Sequence, residues 1–516
     1  MSKTAQYAKA ARAAFWSLVV LAATYTPSSA QTTPHAVSVG AASGYTDVSP
    51  KQVVRTSGNV LYVVATNCDS YPCMASNQTV RVWKGNSADV PTTFTRLDSA
   101  HEPTDAGSVA SAIDASDTIH IVWQDRNGSS NTRIRYNTFS TATGLWGTAE
   151  VVEASVGAAE DIGQGDSFVA LALDANGKPH AAYLFHDGTR RRLAYKNRVS
   201  GSWNARVLID NNSYGANEKA WVPNIAFDSA GRRVFAWLTG AFNEDRTGMI
   251  RVRVMDTDDT LGTRADLFTA TAKVGIDQST SLLSNGLIHV AWIVGGAPGN
   301  EFVRYASATE GKNPTFTANN PANADTHNPS IGLGSSGVIR IYGHGSESPN
   351  DESMYYWEGS GGVGAWSARK LYATGSFDAS VSTRWSQYFH RYPLTLDVVY
   401  WDQNYPNVLY YGADVVAGCA ATVTPTSSTV GSDGGTATLT VTASAGCAWT
   451  AVSNVNWITV TSGTSGTGNG VVTYLVAATT GGVTRTGTLL VAGQTVTITQ
   501  AVPAAPAAPT NLRIVQ

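Results

Sequence analysis

Between Val54 and Ala413 one pattern is written seven times: an alternating strand, an Asp/Ser-Gly type of turn, a second alternating strand that mostly ends in an aromatic residue, a polar loop and a third strand. Clear copies are Asp114-Ala-Ser-Asp-Thr-Ile-His-Ile-Val-Trp123, Asp174-Ala-Asn-Gly-Lys-Pro-His-Ala-Ala-Tyr183 and Asp228-Ser-Ala-Gly-Arg-Arg-Val-Phe-Ala-Trp237. Aligned on Ala65, Trp123, Tyr183, Trp237, Trp292, Gly343 and Tyr400, the copies step by 58, 60, 54, 55, 51 and 57 residues. One small sheet cannot bury both of its faces alone, so a period of this length in an all-strand pattern argues for sheets stacked radially on their neighbours.

Third strands such as Arg133-Ile-Arg-Tyr136, Arg192-Leu-Ala-Tyr195 and Phe302-Val-Arg-Tyr305 follow each loop, and several copies add a Trp-led fourth strand: Trp146 to Val152, Trp203 to Ile209 and Trp366 to Tyr372. Period-two alternation with β-branched and aromatic residues predicts strand throughout, and no helix after residue 30. The seventh copy stops at Asp414 without a fourth strand, and His35-Ala-Val-Ser-Val-Gly40 is the spare strand expected to complete it and cover that edge. The reading is all-β: a seven-bladed β-propeller over residues 31–416, with six or eight blades still open, then a C-terminal Ig-like β-sandwich over 417–501.

Composition bounds the partners. Charged residues make up 14% of the 516, a content suited to short strands and many turns. Residues 1–30 read as a signal peptide: Lys3, Lys9 and Arg12, then an apolar run from Ala13 to Ala23, then small residues before Gln31. That run is too short to span a bilayer, and an amphipathic surface helix is the other reading. Removing Lys3, Lys9 and Arg12 takes the formal charge from −3 to −6, which disfavours nucleic acid. The expected location is secreted (extracellular, cell surface or periplasm), as a monomer with no transmembrane segment. In that compartment Cys68 and Cys73, and Cys419 and Cys447, are expected to pair as disulfides. Zinc is the alternative, but no His stands near either pair at ligand spacing; neither metal nor cofactor is expected.

The repeats resemble the BNR, or sialidase-type, propeller family over roughly residues 45–414. The shared elements are a strand, Asp-x-x-Gly or near it, a strand ending in Trp or Tyr, Arg-x-x-Tyr and Gly-x-Trp. No copy keeps every position of that family's Ser-x-Asp-x-Gly-x-x-x-Trp box; Asp117 stands where Ser111 to Trp123 needs Gly. Residues 418–500 resemble a BACON domain, carried on Cys419-Ala-Ala-Thr-Val-Thr-Pro, Gly434 to Val441, Gly446-Cys-Ala-Trp-Thr450, Asn456-Trp-Ile-Thr-Val460 and Val496-Thr-Ile-Thr-Gln500. That resemblance implies a β-sandwich of extracellular bacterial proteins, often attached to carbohydrate-active modules. Val502 to Pro509 is a stiff linker, and within 502–516 Pro-Thr-Asn-Leu-Arg-Ile resembles the opening strand of a truncated fibronectin type III domain.

The expected binding face is the end where second strands hand over to third strands and blade follows blade. Its non-repeating residues are the candidates: Asp125, Arg126, His186, Asp187, His344, Trp385, His390, Arg391, Trp401 and Asp402. Carboxylates, amides and aromatic rings suit sugars, with rings stacking on the apolar face and polar groups taking hydroxyls. The recurring aromatics Trp123, Tyr183, Trp237 and Trp292 are read instead as packing between blades, Asp114, Asp174 and Asp228 as turn formers, and His120 and His289 as structural. Functionally the chain reads as a binder of extracellular carbohydrate or glycoprotein. The alternative is a polysaccharide lyase or sialidase-like glycoside hydrolase on the same face. The sialidase set of Tyr, Glu, Asp and three Arg does not assemble from spacing, and catalysis stays open. For a lyase, His180-Ala-Ala-Tyr-Leu-Phe-His186 and the stretch from Asp325-Thr-His327 to His344 resemble the repeats of lyase propellers.

Overall fold

The computed structural model describes residues 29–31, 35–36, 53–67, 79–86, 91–97, 106–125, 132–156, 169–210, 219–240, 248–267, 280–284, 286–294, 302–324, 326–333, 339–346, 352–359, 365–373, 382–383, 395–402, 408–416, 421–443, 448–467, 469–479, 483–492 and 494–501. Every regular element among them is a strand. The expected disulfides at Cys68, Cys73, Cys419 and Cys447, and the tail 502–516, lie outside the described residues. Among the described residues no helix is long and apolar enough to cross a membrane.

Seven antiparallel sheets follow the seven repeats. Sheet one holds Val53–Arg55, Leu61–Asn67, Thr79–Gly85 and Phe94–Arg96; sheet two holds Ala106–Ile113, Thr118–Asp125, Arg133–Ser140 and two short outer pieces, Leu145–Trp146 and Glu150–Glu153. Sheet three is built from Val169–Leu173, Pro179–His186, Arg191–Asn197 and Val207–Leu208, and sheet four from Lys219–Phe227, Arg233–Gly240, Gly248–Met255 and Ala265–Asp266. Sheets five and six open with Thr280–Ser284 and His327–Leu333; sheet seven holds Ser382–Thr383, Thr395–Asp402 and Val408–Val416. From sheet one to sheet seven each first strand lies beside the next first strand, and the second strand of sheet seven lies beside the first strand of sheet one.

The N-terminal segment joins sheet seven. His35 and Ala36 pair antiparallel with Tyr411 and Tyr410, as the spare strand is expected to do. Ser29, Ala30 and Gln31 also pair, with Val416, Val415 and Asp414. This strand takes in Ser29 and Ala30, the last two residues of the expected leader, so cleavage there leaves only Gln31 of it in register.

The turns explain both the repeat and its departures. The Asp174 carboxylate accepts from the amides of Asn176 and Lys178, each at 2.8 Å, and Gly177 takes the left-handed φ of 72° that closes the turn. Asp114 and Asp228 make the same pair of bonds. At the Gly position of the second copy Asp117 adopts φ 61°, which Asp tolerates, and its carboxylate reaches the Ser57 amide (2.5 Å) and hydroxyl (2.6 Å) in sheet one. The missing glycine is therefore an inter-sheet tie.

Between sheets the core is aromatic. Trp123 is buried with Val54 and Tyr62 of sheet one, Trp237 with Tyr183 and Tyr195 of sheet three, and Trp292 with Trp221 and Val252 of sheet four. His120, His180 and His289 each set Nδ1 against a tyrosine hydroxyl one strand over: Tyr136 at 2.7 Å, Tyr195 at 2.6 Å and Tyr305 at 2.5 Å. Burial pulls the His180 and His289 imidazoles below their usual pKa, His289 to about 4. Outer Trp residues close these columns edge-on: Trp203 on Tyr136 and Trp366 on Tyr305.

The C-terminal module packs two sheets. One runs Ala421–Thr424, Gly435–Ala443, Gly470–Val476, Ile458–Ser462; the other runs Ser427–Val430, Gln494–Gln500, Arg485–Val491, Ala448–Ser453, Ser465–Thr467. Alternate residues Leu439, Val441, Val472, Tyr474, Leu489, Val496 and Ile498 fill the space between them, beside Trp449. A β-carbon at Gly466 or Gly470 would collide with the Trp449 ring.

Candidate functional site at the second-to-third strand ends

Antiparallel pairing sets the start of each first strand, the end of the second and the start of the third at one end of the sheet. Register places Ala106, Asp125 and Arg133 together in sheet two, His186 with Arg191 in sheet three, His327 with His344 in sheet six, and Asp402 with Val408 in sheet seven. The second strands run past their aromatic residue, so Asp125, His186, His344, Trp401 and Asp402 are strand residues rather than loop residues. For His344, Trp401 and Asp402 only the backbone is described; Arg126, Trp385, His390 and Arg391 lie outside the described residues.

Asp125 is 2% exposed, and its Oδ2 accepts from Arg133 Nη2 at 2.9 Å with Arg135 Nη1 at 3.6 Å. Arg135 in turn lies over the Trp123 ring, 5.7 Å from its centroid. In sheet three the half-buried His186 accepts the Gly188 amide at Nδ1 (3.1 Å), so the proton of its neutral ring sits on Nε2. The next residue, Asp187, is wrapped: its carboxylate accepts from the amides of Thr189 (2.9 Å) and Arg190 (3.0 Å) and from Arg192 Nη1 (2.9 Å). Burial pushes that carboxyl up, but the backbone bonds and the guanidinium outweigh it and hold it below the usual range. Arg192 also donates through Nε to the buried Asp210 at 3.0 Å.

Trp221, in the first strand of sheet four, is 2% exposed and has the Arg191 guanidinium 3.8 Å from its ring centroid, so it is no platform for a sugar ring. Arg304 Nη1 donates to an amide oxygen, Asn323 Oδ1, at 2.9 Å. A Tyr–Glu contact of the kind a sialidase needs does exist: Tyr183 donates to Glu153 at 2.7 Å, with Arg206 3.1 Å and Lys196 3.4 Å from the same oxygen. Tyr183 is fully buried, and burial and Glu153 push its phenol well above the usual range. The pair clamps sheet two to sheet three. Arg133, Arg191, Arg192 and Asp210 were missed as site residues. For Arg133 and Arg191 the signal was register, since the first residue of a third strand stands opposite the last of the second; Arg192 and Asp210 carry no such signal.

Residues 420–506 match the family model described as Viral BACON domain. No curated protein matches the chain. Similar solved structures include the polysaccharide lyase PL25 ulvan lyase bound to a sulfated GlcA–Rha glycan, at 11% identity and TM-score 0.48, covering 74% of this chain and 95% of that one. Another is the BP39L lectin from Burkholderia pseudomallei, at 14% and 0.47, covering 72% and 97%. A third is an α-L-arabinanase from Penicillium chrysogenum, at 10% and 0.43, covering 75% and 99%. Likenesses this loose carry no argument about what this chain does.

Proposed function

We propose that the chain is an exported, seven-bladed β-propeller that binds an extracellular glycan or glycoprotein at the second-to-third strand ends, with the BACON module as its accessory. The observation that supports this is the succession of first strands from sheet one to sheet seven, with the second strand of sheet seven beside the first strand of sheet one, an order that suits a ring whose polar strand ends share one rim. Binding is favoured over catalysis because the described acids there are already engaged: Asp125 by Arg133 and Arg135, Asp187 by Arg192. Asp187, whose carboxyl is held below the usual range, is a poor proton donor and a good fixed acceptor for hydroxyls, while Asp125 is buried with its guanidinium partners.

The test is binding of the full chain to neutral, uronate-containing and host-type glycans on an array. Retention on at least one class is expected, and His186→Ala, a substitution at a half-buried rim position, weakens it roughly tenfold, about 1.4 kcal/mol. Silence across all classes contradicts the reading. A polysaccharide lyase is the second reading, favoured by one observation: His327 and His344 are register partners at the same end of sheet six. A His of near-neutral pKa can take the proton beside a uronate carboxylate. Incubation with uronate polymers then yields an ultraviolet-absorbing unsaturated product, which a binder does not make.

A further inference from the structure

The outer face of one sandwich sheet is uncharged, exposed and nearly all threonine. Its positions are Thr422 and Thr424; Thr436, Thr438, Thr440 and Thr442; and Thr459. They surround a central strand that carries Val471, Thr473 and Leu475 on the same face, opposite Thr440, Thr438 and Thr436. Val471 is 54% and Leu475 43% exposed, and among the described residues nothing covers them. Residues 421–500 contain two charged side chains, Asp433 and Arg485. Neither lies on this face: Asp433 sits in the turn before it, and Arg485 belongs to the other sheet, where it binds Gln500 and lies over Trp457. Exported β-proteins ordinarily keep such surfaces apart with lysine and glutamate, and this one has none.

We propose that this face docks on the same face of a second copy of the chain. A charged partner finds no counter-charge here. A sugar ring finds no stacking platform, because Trp449 and Tyr474 are buried in the sandwich core. A second copy offers matching chemistry: an apolar centre of Val471 and Leu475 against its own repeat, ringed by hydroxyls, across a two-fold axis. Two identically twisted sheets also pack face to face about 10 Å apart. Threonine is stiff at χ1, so little side-chain freedom is lost on contact. Four strands about 4.8 Å apart and about seven residues long at about 3.4 Å each make roughly 450 Å² per copy, or about 900 Å² per pair. That is just under what a stable complex usually buries, so the pair is weak, with a Kd on the order of 100 μM. It departs from the monomer the sequence suggests and does not depend on what the propeller binds.

The experiment is sedimentation of the full chain from about 10 μM to about 1 mM, a range that brackets the expected Kd. Mass rising toward the dimer, and no weaker at high salt, is expected because the contact is neutral. Val471→Lys with Leu475→Lys places like charges at the centre and is expected to raise Kd at least about tenfold, as is Val471→Glu with Leu475→Glu. Mixing the two variants restores pairing. Val483→Lys, at a 78% exposed position before the strand Arg485–Val491, leaves it unchanged. Both double substitutions are at exposed positions, and an unchanged melting temperature shows that folding is intact. A chain that stays monomeric at about 1 mM overturns the proposal; so does pairing that survives the lysines, or one that salt abolishes.

Discussion

Trp237→Ala is expected to cost about 3–5 kcal/mol of unfolding free energy, read as a fall in the urea midpoint. Trp237 is fully buried in the cluster that joins sheets three and four, among Tyr183, Tyr195, Ile225 and Phe235. The loss exceeds one sheet's share because each sheet covers a face of the next, and a cavity there loosens contacts on both sides. Val483→Ala, at an exposed position of the sandwich, is expected within about 0.5 kcal/mol of the parent. A Trp237→Ala cost under about 1 kcal/mol would mean that the sheets do not rely on one another for burial.

Acid is expected to unfold the protein in two stages, the first carried by buried histidines. Burial lowers the His289 pKa from 6.5 to about 4, against the opposing pull of Glu310. Between those values the unfolded chain binds a proton that the folded chain refuses, so stability falls as pH drops from 6.5 to 4. A shift of that size corresponds to about 3 kcal/mol. His180, also lowered by burial, adds in the same direction. The second stage lies lower. Burial raises the Asp174 carboxyl, but the His180 ring 3.6 Å away and bonds from the Lys178 and Asn176 amides outweigh it; Asp114 is held low by bonds from His120 and its turn amides. A depressed carboxyl stabilises the fold above its unfolded pKa and loses that contribution as pH falls through its folded value. Urea midpoints from pH 7.5 to 4.5 should slope downward in the parent and clearly less in His289→Gln. Equal slopes would remove His289 from the account.

How much of this was legible in the chain differs by layer. The strands were, because Thr118 to Trp123 is rich in β-branched and aromatic residues and the turns at Asp114, Asp174 and Asp228 carry their own hydrogen-bonding residue. Strand ends were not. Pairing continues wherever a cross-strand partner remains, and Arg133 holds Asp125 in the sheet where composition alone suggested a loop. Outer strands were legible as Trp-led segments but not in length: Trp203 to Ile209 yields only Val207–Leu208, since an edge strand has one neighbour to pair with. Long-range partners escaped entirely. Nothing local ties Tyr183 to Glu153, thirty residues earlier in another sheet, or Asp117 to Ser57. The site was the least legible part, because Asp125 and His186 are non-repeating residues without a periodic signal, Arg191 is defined by register, and Asp210 by long-range bonds to Arg192 and Leu193.

The central claim is that the two ends of the repeat region share one sheet, so that sheet seven stands beside sheet one and the polar ends form a single rim. Ala36 and Tyr410 are register partners across that junction. Cα atoms opposed in an antiparallel pair lie about 4.5–5.5 Å apart, within the span a disulfide bridges. Ala36→Cys with Tyr410→Cys, mildly oxidised and mapped by non-reducing mass spectrometry, should give a cross-linked pair of peptides from a single chain. Two freely alkylated thiols at those positions, with the protein folded, would contradict the closure and the rim built on it.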